Sequence, residues 1–316
     1  MDRPDLSPSS HDPLGVLVGF DGSRHATAAL HWGAAAAQRR GTTLSVVAAF
    51  TAPMLITGHV DAAGGSVGVD AARRATEQVL QLARDTLDGA GFTSESLPTR
   101  FFTVNEDATG ALARLSENAD LIVIGRRGHG RFWSRVLGSV SAALPAHAQC
   151  PTVIVGASDE DVEDITRVTE DTRPVTVGVD TSPTSRKAAL VAADEAIAAG
   201  VPLRAVLVLP SFTGPPSTYT DAAAQLDTQS KDAAQRGLDA ELNWIREQRP
   251  DVELQGTIMR GVPAEALIEA SGSSQLTVVG SRGRGGFASL LLGSVSRTTL
   301  SNAQGTMMVV PKDRKR

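Results

Sequence analysis

The chain has 316 residues, 41% hydrophobic and 21% charged, with 30 Lys and Arg against 35 Asp and Glu for a net charge of −5. At roughly 150 residues per domain this is enough for two domains with full cores, and the composition excludes disorder, collagen and a coiled coil. The acidic balance and an aromatic content of 4% argue against broad binding to nucleic acid or anionic membrane. Cys150, the single cysteine, can form neither an internal disulfide nor a thiolate cage, which suits a reducing compartment. No apolar run reaches the about 18 residues of a membrane span. The first residues carry acids and prolines where a signal peptide would be apolar. A soluble cytoplasmic protein is expected.

After a tail over 1–13, short apolar runs alternate with helical stretches. The first half predicts strands at 14–20, 43–50, 98–104, 120–125 and 151–156. An acidic linker over 157–173 follows, containing Ser158-Asp159-Glu160-Asp161. The second half predicts strands at 174–180, 202–209, 253–259, 275–280 and 306–311, before a basic tail over 312–316. Runs such as Leu121-Ile122-Val123-Ile124 and Leu276-Thr277-Val278-Val279 have the continuous apolar character of parallel strands covered on both faces. Ser23 and Ser182, the latter followed by Pro183, are placed to cap the first helix of each half. Gly41 and Gly200 sit where a left-handed residue would end those helices. The loops at 51–68 and 210–221, rich in small and polar residues, read as flaps.

The two halves repeat one another. Val16-Leu17-Val18-Gly19-Phe20-Asp21-Gly22-Ser23 returns at an offset of 159 as Val175-Thr176-Val177-Gly178-Val179-Asp180-Thr181-Ser182. At an offset of 155, Gly125-Arg126-Arg127-Gly128 and Gly138-Ser139-Val140-Ser141 return as Gly280-Ser281-Arg282-Gly283 and Gly293-Ser294-Val295-Ser296. Strands alternating with helices in each copy imply a doubly wound parallel sheet. The fold class is therefore α/β: two tandem, five-stranded, Rossmann-like domains over 14–156 and 174–311. Pairing the short fifth strands of the two halves would hide two open edges, so an internal pseudo-dimer is expected, with room for a further homodimer.

The chemistry concentrates in G-x2-G-x9-G-S, met by Gly125, Gly128, Gly138 and Ser139 and again by Gly280, Gly283, Gly293 and Ser294. Glycines allow close approach of backbone to a ligand, and a helix N-terminus favours an anion. The serine hydroxyl can bond a phosphate oxygen or cap the helix. Residues 126–135 hold Arg126, Arg127, Arg131 and Arg135 with no acid, and the second copy holds Arg282 and Arg284. Asp21 and Asp180 end the first strand of each half. A carboxylate repels phosphate, so each suits a hydrogen bond from an adenine amino group or a ribose hydroxyl, or else holds the turn. If the first strand lies beside the fourth, carboxylate and glycine loop flank one crevice where the strand order reverses. No G-x4-G-K-[ST] occurs, and the glycine loop follows the fourth strand rather than the first, which excludes the two better-known phosphate loops.

G-x2-G-x9-G-[ST] with a leading V-G-x-D resembles the universal stress protein family, as a tandem member, over almost all of 14–156 and 174–311. The resemblance implies a five-stranded parallel α/β fold and ATP binding. It places Asp21 and Asp180 at the adenine end with the backbone of Gly19 and Gly178 nearby. Gly125, Arg127, Gly128, Gly138 and Ser139 would wrap ribose and phosphates, as would Gly280, Arg282, Gly283, Gly293 and Ser294. The first half departs from the family pattern at Arg126, where Ser or Thr is common, and at Arg131, which replaces a second glycine. It also has Asn105-Glu106-Asp107 where the second half has Gly261-Val262-Pro263.

Other candidates are weaker. His129 reads as an exposed loop residue, the remaining histidines have no metal-ligand spacing, and Cys150 reads as a small core residue. The leading expectation is an ATP-binding stress-response sensor or regulator, with one site per domain, no catalytic residues and hydrolysis that is slow at most. Whether Mg²⁺ accompanies the ATP is left open, as is the identity of a protein partner; nucleic-acid and membrane partners are not expected. The alternatives are an ATP-consuming enzyme of related architecture and a partner-binding scaffold with non-functional sites. The first alternative usually carries an S-G-G-x-D-S loop, which Gly19-Phe20-Asp21-Gly22-Ser23 does not match.

Overall fold

The computed structural model describes residues 12–51, 64–128, 137–156, 171–210, 221–284 and 291–313. The linker at 157–170, most of both flap loops and the candidates His11, His59, His129, Arg131 and Arg135 lie outside these residues. The chain divides into two compact units, 1–170 and 171–316.

The first unit runs β1 Gly15–Gly19, α1 Arg24–Arg40, β2 Leu44–Phe50, α2 Gly64–Gly89, β3 Thr99–Asn105, α3 Ala108–Leu115, β4 Ala119–Gly125, α4 Ser139–His147 and β5 Thr152–Val155. Its strands lie in the order β3-β2-β1-β4-β5, and every neighbouring pair is parallel. The second unit runs β6 Val175–Val179, α5 Pro183–Ala199, β7 Leu203–Leu209, α6 Asp221–Gln248, β8 Leu254–Arg260, α7 Pro263–Ser271, β9 Leu276–Gly280, α8 Ser294–Asn302 and β10 Met307–Val310. Its order is β8-β7-β6-β9-β10, again all parallel. The first strand of each unit therefore lies beside the fourth, and the strand order reverses between them. A doubly wound sheet has its ligand crevice there.

Local chemistry explains the elements. Ser23 Oγ accepts from Ala26 N at 3.2 Å and Ser182 Oγ from Ser185 N at 3.2 Å, so each caps its helix. Gly41 and Gly200 end those helices at φ 61° and 66°, the left-handed conformation that costs glycine nothing. Seven of the eleven buried residues of α1 are alanine. At Gly33 even one added carbon would meet Val18 Cγ2 at 2.5 Å, so this helix packs directly on β1. Leu17, Leu121, Ile122, Val123 and Val278 are fully buried, as strands covered on both faces require.

Two other features bear on the site's frame. Ser116 Oγ accepts from Gln149 N at 2.8 Å, and Ser271 Oγ accepts from Gln304 N at 3.0 Å. The same pin thus joins the end of the third helix to the approach of the fifth strand in both units. The entry to that helix is built in two ways. Asp107 caps α3 through Gly110 N at 3.0 Å, whereas α7 starts on Pro263 after Gly261 at φ 128°. A side-chain cap does in one unit what proline and glycine do in the other.

Cys150 is buried, and burial pushes its thiol up to about 12. That agrees with a small core residue.

Candidate functional site

Each crevice is built from two turns at the carboxyl ends of adjacent strands. The first leads from β1 or β6 into the helix that follows. Asp21 Oδ1 accepts from Ser23 N at 2.9 Å, and Asp180 Oδ1 accepts from Ser182 N at 3.0 Å. This leaves each carboxylate's second oxygen facing the other turn. The middle residue of the turn is left-handed in both units, as Gly22 at φ 81° and Thr181 at φ 65°. Thr181 is the one non-glycine residue with positive φ among the described residues. A β-branched side chain is strained there, and strain of this kind clusters at functional sites.

The second turn is the glycine loop after β4 or β9. A side chain on Gly128 would collide with Asp21 Oδ2, and one on Gly283 with Asp180 Oδ2. The two sequence motifs of each half therefore meet in space. In the second unit the meeting is a hydrogen bond, from Arg284 N to Asp180 Oδ2 at 2.9 Å. Burial works against ionisation of Asp180. Hydrogen bonds from Ser182 and Ser185 and from the backbone of Arg284 outweigh it and hold the carboxyl below the ordinary aspartate value.

Gly125 and Gly280 admit the neighbouring helix rather than the ligand directly. An added carbon at Gly125 would meet the His25 carbonyl carbon at 2.5 Å, and one at Gly280 would meet Thr184 Cγ2 at 2.9 Å. Gly19 and Gly178 similarly make room for Leu112 and Leu267, whose methyl carbons lie 3.0 Å from such a carbon. Packing alone thus accounts for glycine at these four positions. At Gly128 and Gly283 the neighbour is a carboxylate.

The far wall of the crevice is the N-terminus of α4 or α8. Gly138 and Gly293 are the capping residues, and neither helix has a side-chain cap. Ser139 and Ser294 are exposed first residues of those helices, which removes the reading of either serine as the cap. The first-turn N–H groups of both helices thus have no side-chain oxygen from the capping position, the arrangement that suits an anion.

The loop is tied to that helix end by Gly138 N to Arg126 O at 3.0 Å and Gly293 N to Ser281 O at 2.8 Å. Ser141 Oγ reinforces the tie by donating to Arg126 O at 2.8 Å, and Ser296 Oγ donates to Gly280 O at 2.7 Å. These two serines close the repeated Gly-Ser-Val-Ser run, yet sequence reasoning singled out only the first serine of each. Their recurrence at the same offset was the available signal. Arg127 and Arg282 follow in the loop, and Arg127 Nε is buried with no hydrogen-bond partner among the described residues. Among the described residues no cluster of three or more His, Cys, Asp or Glu is placed to hold a metal.

The universal stress protein family model matches residues 15–156 and 172–311, and the chain belongs to that family, with two tandem copies of its domain. A universal stress protein of Mycobacterium tuberculosis is 33% identical over 306 residues, covering 95% of this chain and 97% of the relative. One of Mycolicibacterium smegmatis is 32% identical over 299 residues, covering 94% and 96%. Among solved structures, a universal stress protein from Archaeoglobus fulgidus superposes with a TM-score of 0.61 at 19% identity, covering 98% of this chain and all of that one. The last similarity concerns the fold.

Proposed function

We propose that each half binds one ATP in the crevice between its first and fourth strands, and that the protein acts as a nucleotide-dependent regulator in a stress response. The observation that carries this reading is the meeting of loop glycine and carboxylate, present twice. At Gly128 and Gly283 a Cβ would occupy the space beside Asp21 Oδ2 and Asp180 Oδ2, leaving a cradle floored by backbone. The carboxylate offers an acceptor for the base or ribose. The uncapped helix with Arg127 or Arg282 offers donors to the phosphates.

The fit to Mg²⁺ is different. Asp21 and Asp180 each already use Oδ1 for a backbone N–H, so a divalent cation would arrive on the phosphates rather than on a protein cage. The reading is of a sensor in the cytoplasm, acting through a protein partner, with hydrolysis that is slow at most. No helix among the described residues is long and apolar enough to cross a membrane.

The test is to denature the purified chain and run the supernatant on ion-exchange chromatography, with calorimetric titration of the nucleotide-free protein alongside. Adenine nucleotide approaching two per chain is expected. None released, together with no heat of binding, overturns the reading.

A further inference from the structure

The chain does not let go of the second unit where β10 ends. Parallel pairing aligns Val310 with Gly280, and the ladder runs one rung further, as Ser281 N donates to Val310 O at 2.7 Å. The rung after that would run from Lys312 N to Ser281 O, because the bonds of a parallel ladder are evenly spaced. That carbonyl is already taken, since Ser281 O accepts from Gly293 N at 2.8 Å. The Ser281 hydroxyl stands in for it and accepts from Lys312 N at 3.1 Å. One buried serine thus divides its two acceptors. Its carbonyl holds the return of the glycine loop at the cap of α8, and its hydroxyl holds the end of the chain.

The next residue is fastened as well. Asp313 forms an ion pair with Lys187 of α5. The first turn of α5 itself rests on the end of β9, where a carbon added to Gly280 would meet Thr184. Residues 311–313 therefore join the root of the glycine loop to the helix that the carboxylate turn begins. In the first unit Arg126, the counterpart of Ser281, keeps both backbone bonds, donating to Val155 O at 3.2 Å and accepting from Gly138 N at 3.0 Å. It carries no hydroxyl to accept a further rung, so this fastening belongs to the second unit. Neither fastening is strong, because one hydrogen bond contributes little net and an exposed ion pair less. The run Lys312-Asp313-Arg314-Lys315-Arg316 has no apolar side chain to bury.

We infer that the chain end from Lys312 onward is a releasable strap coupled to the second crevice alone: docked, it holds Ser281, and through it the junction of glycine loop and α8, in the form that receives a phosphate. This rests on the nucleotide reading above and adds a regulation to it. A loop already restrained loses less freedom when it binds. Coupling between two sites is reciprocal, so a nucleotide in the second crevice tightens the strap, and loss of the strap weakens that crevice.

Amide hydrogen exchange at Lys312 in the full chain, with and without saturating ATP, tests this. ATP should slow the exchange about threefold in wild type and in Gly128→Leu, and leave it unmoved in Gly283→Leu. In calorimetric titration Asp313→Asn should weaken one of the two ATP affinities about threefold and leave the other alone, and Ser281→Ala should weaken the same one about fivefold. Asp313→Asn also separates the strap from bulk electrostatics, since removing a negative charge by itself favours an anion. Lys312 exchange unmoved by bound ATP, Asp313→Asn affinities unchanged or raised, or equal weakening of both sites overturns the inference. Should the leucine or alanine variants fail to fold, wild type and the exposed Asp313→Asn change still decide it. If wild type binds no ATP, the nucleotide reading falls and the coupling with it; bound ATP with an indifferent Lys312 removes the coupling alone.

Discussion

The first and second units solve one geometric problem with different residues. Where the carboxylate turn needs a left-handed residue, the first unit uses Gly22 and the second accepts the strain of Thr181. Where the third helix needs a start, the first uses an Asp107 cap and the second uses Gly261 and Pro263. Where β2 enters the sheet, the first buries Ser45, whose hydroxyl has no partner among the described residues. Its counterpart Arg204 reaches Thr176 Oγ1 at 3.0 Å, Ser274 Oγ at 2.9 Å and Ala270 O at 3.3 Å, closing the end of α7. The second unit also ties α5 to α6 through Arg186 and the buried Glu241 at 2.7 Å, with Trp244 beneath the guanidinium. The frames thus differ in residue type at each of these points, while in both units a carboxylate oxygen faces the loop glycine. The parts held in common are those that the site needs.

The largest effect on this comparison should come from the shared part. Gly128→Leu and Gly283→Leu each fill the space beside a carboxylate, so each should lower bound nucleotide from two per chain toward one, read by calorimetry. A single substitution that empties both sites would break the equivalence. Next comes a difference between the units. Arg186→Met leaves the Glu241 carboxylate buried and unpaired. It should cost about 3 kcal/mol in urea unfolding, the low end for such a group because Arg186 is itself partly exposed.

Smaller again is the turn. Thr181→Gly should raise stability by about 1 kcal/mol, and Gly22→Thr should lower it by a similar amount. Matching values would show that the two turns are the same conformation filled differently. The smallest effect is electrostatic. Asp180 is held below its ordinary value, so its contribution is complete above the unfolded aspartate value and is lost as pH falls through the folded one. The stabilities of wild type and Asp180→Asn should therefore differ most above about pH 4 and draw together progressively as pH falls below it. Curves that stay parallel would refute the contribution.

Much of this was legible in the residues. Buried parallel strands announce themselves as continuous apolar runs, and the capping serines and closing glycines stand at fixed offsets from them, so the elements fall within a residue or so of expectation. Asp21 and Gly128 could be joined because strand order in a doubly wound sheet follows from its crossovers. The division of labour among the glycines was not legible. Gly19, Gly125 and Gly128 look alike in a string, yet only packing reveals that the first clears Leu112, the second clears the start of α1 and the third faces a carboxylate. Ser141 and Ser296 were hidden for a similar reason: their hydroxyls serve a carbonyl far off in sequence. Arg186 and Glu241 pair across 55 residues, a separation that no local pattern records.

The serine pins have a consequence for how such a protein can be altered. Ser116 to Gln149 and Ser271 to Gln304 both span 33 residues, although the repeat offset falls from 159 to 155 along the chain. The length change therefore lies wholly upstream, and each pin closes a ring of fixed circumference that carries the fourth strand, the glycine loop and the helix behind it. Such a ring is a cassette with matched ends. Exchanging 116–149 for 271–304 would transplant one crevice wall into the other unit without altering the spacing of anything outside it.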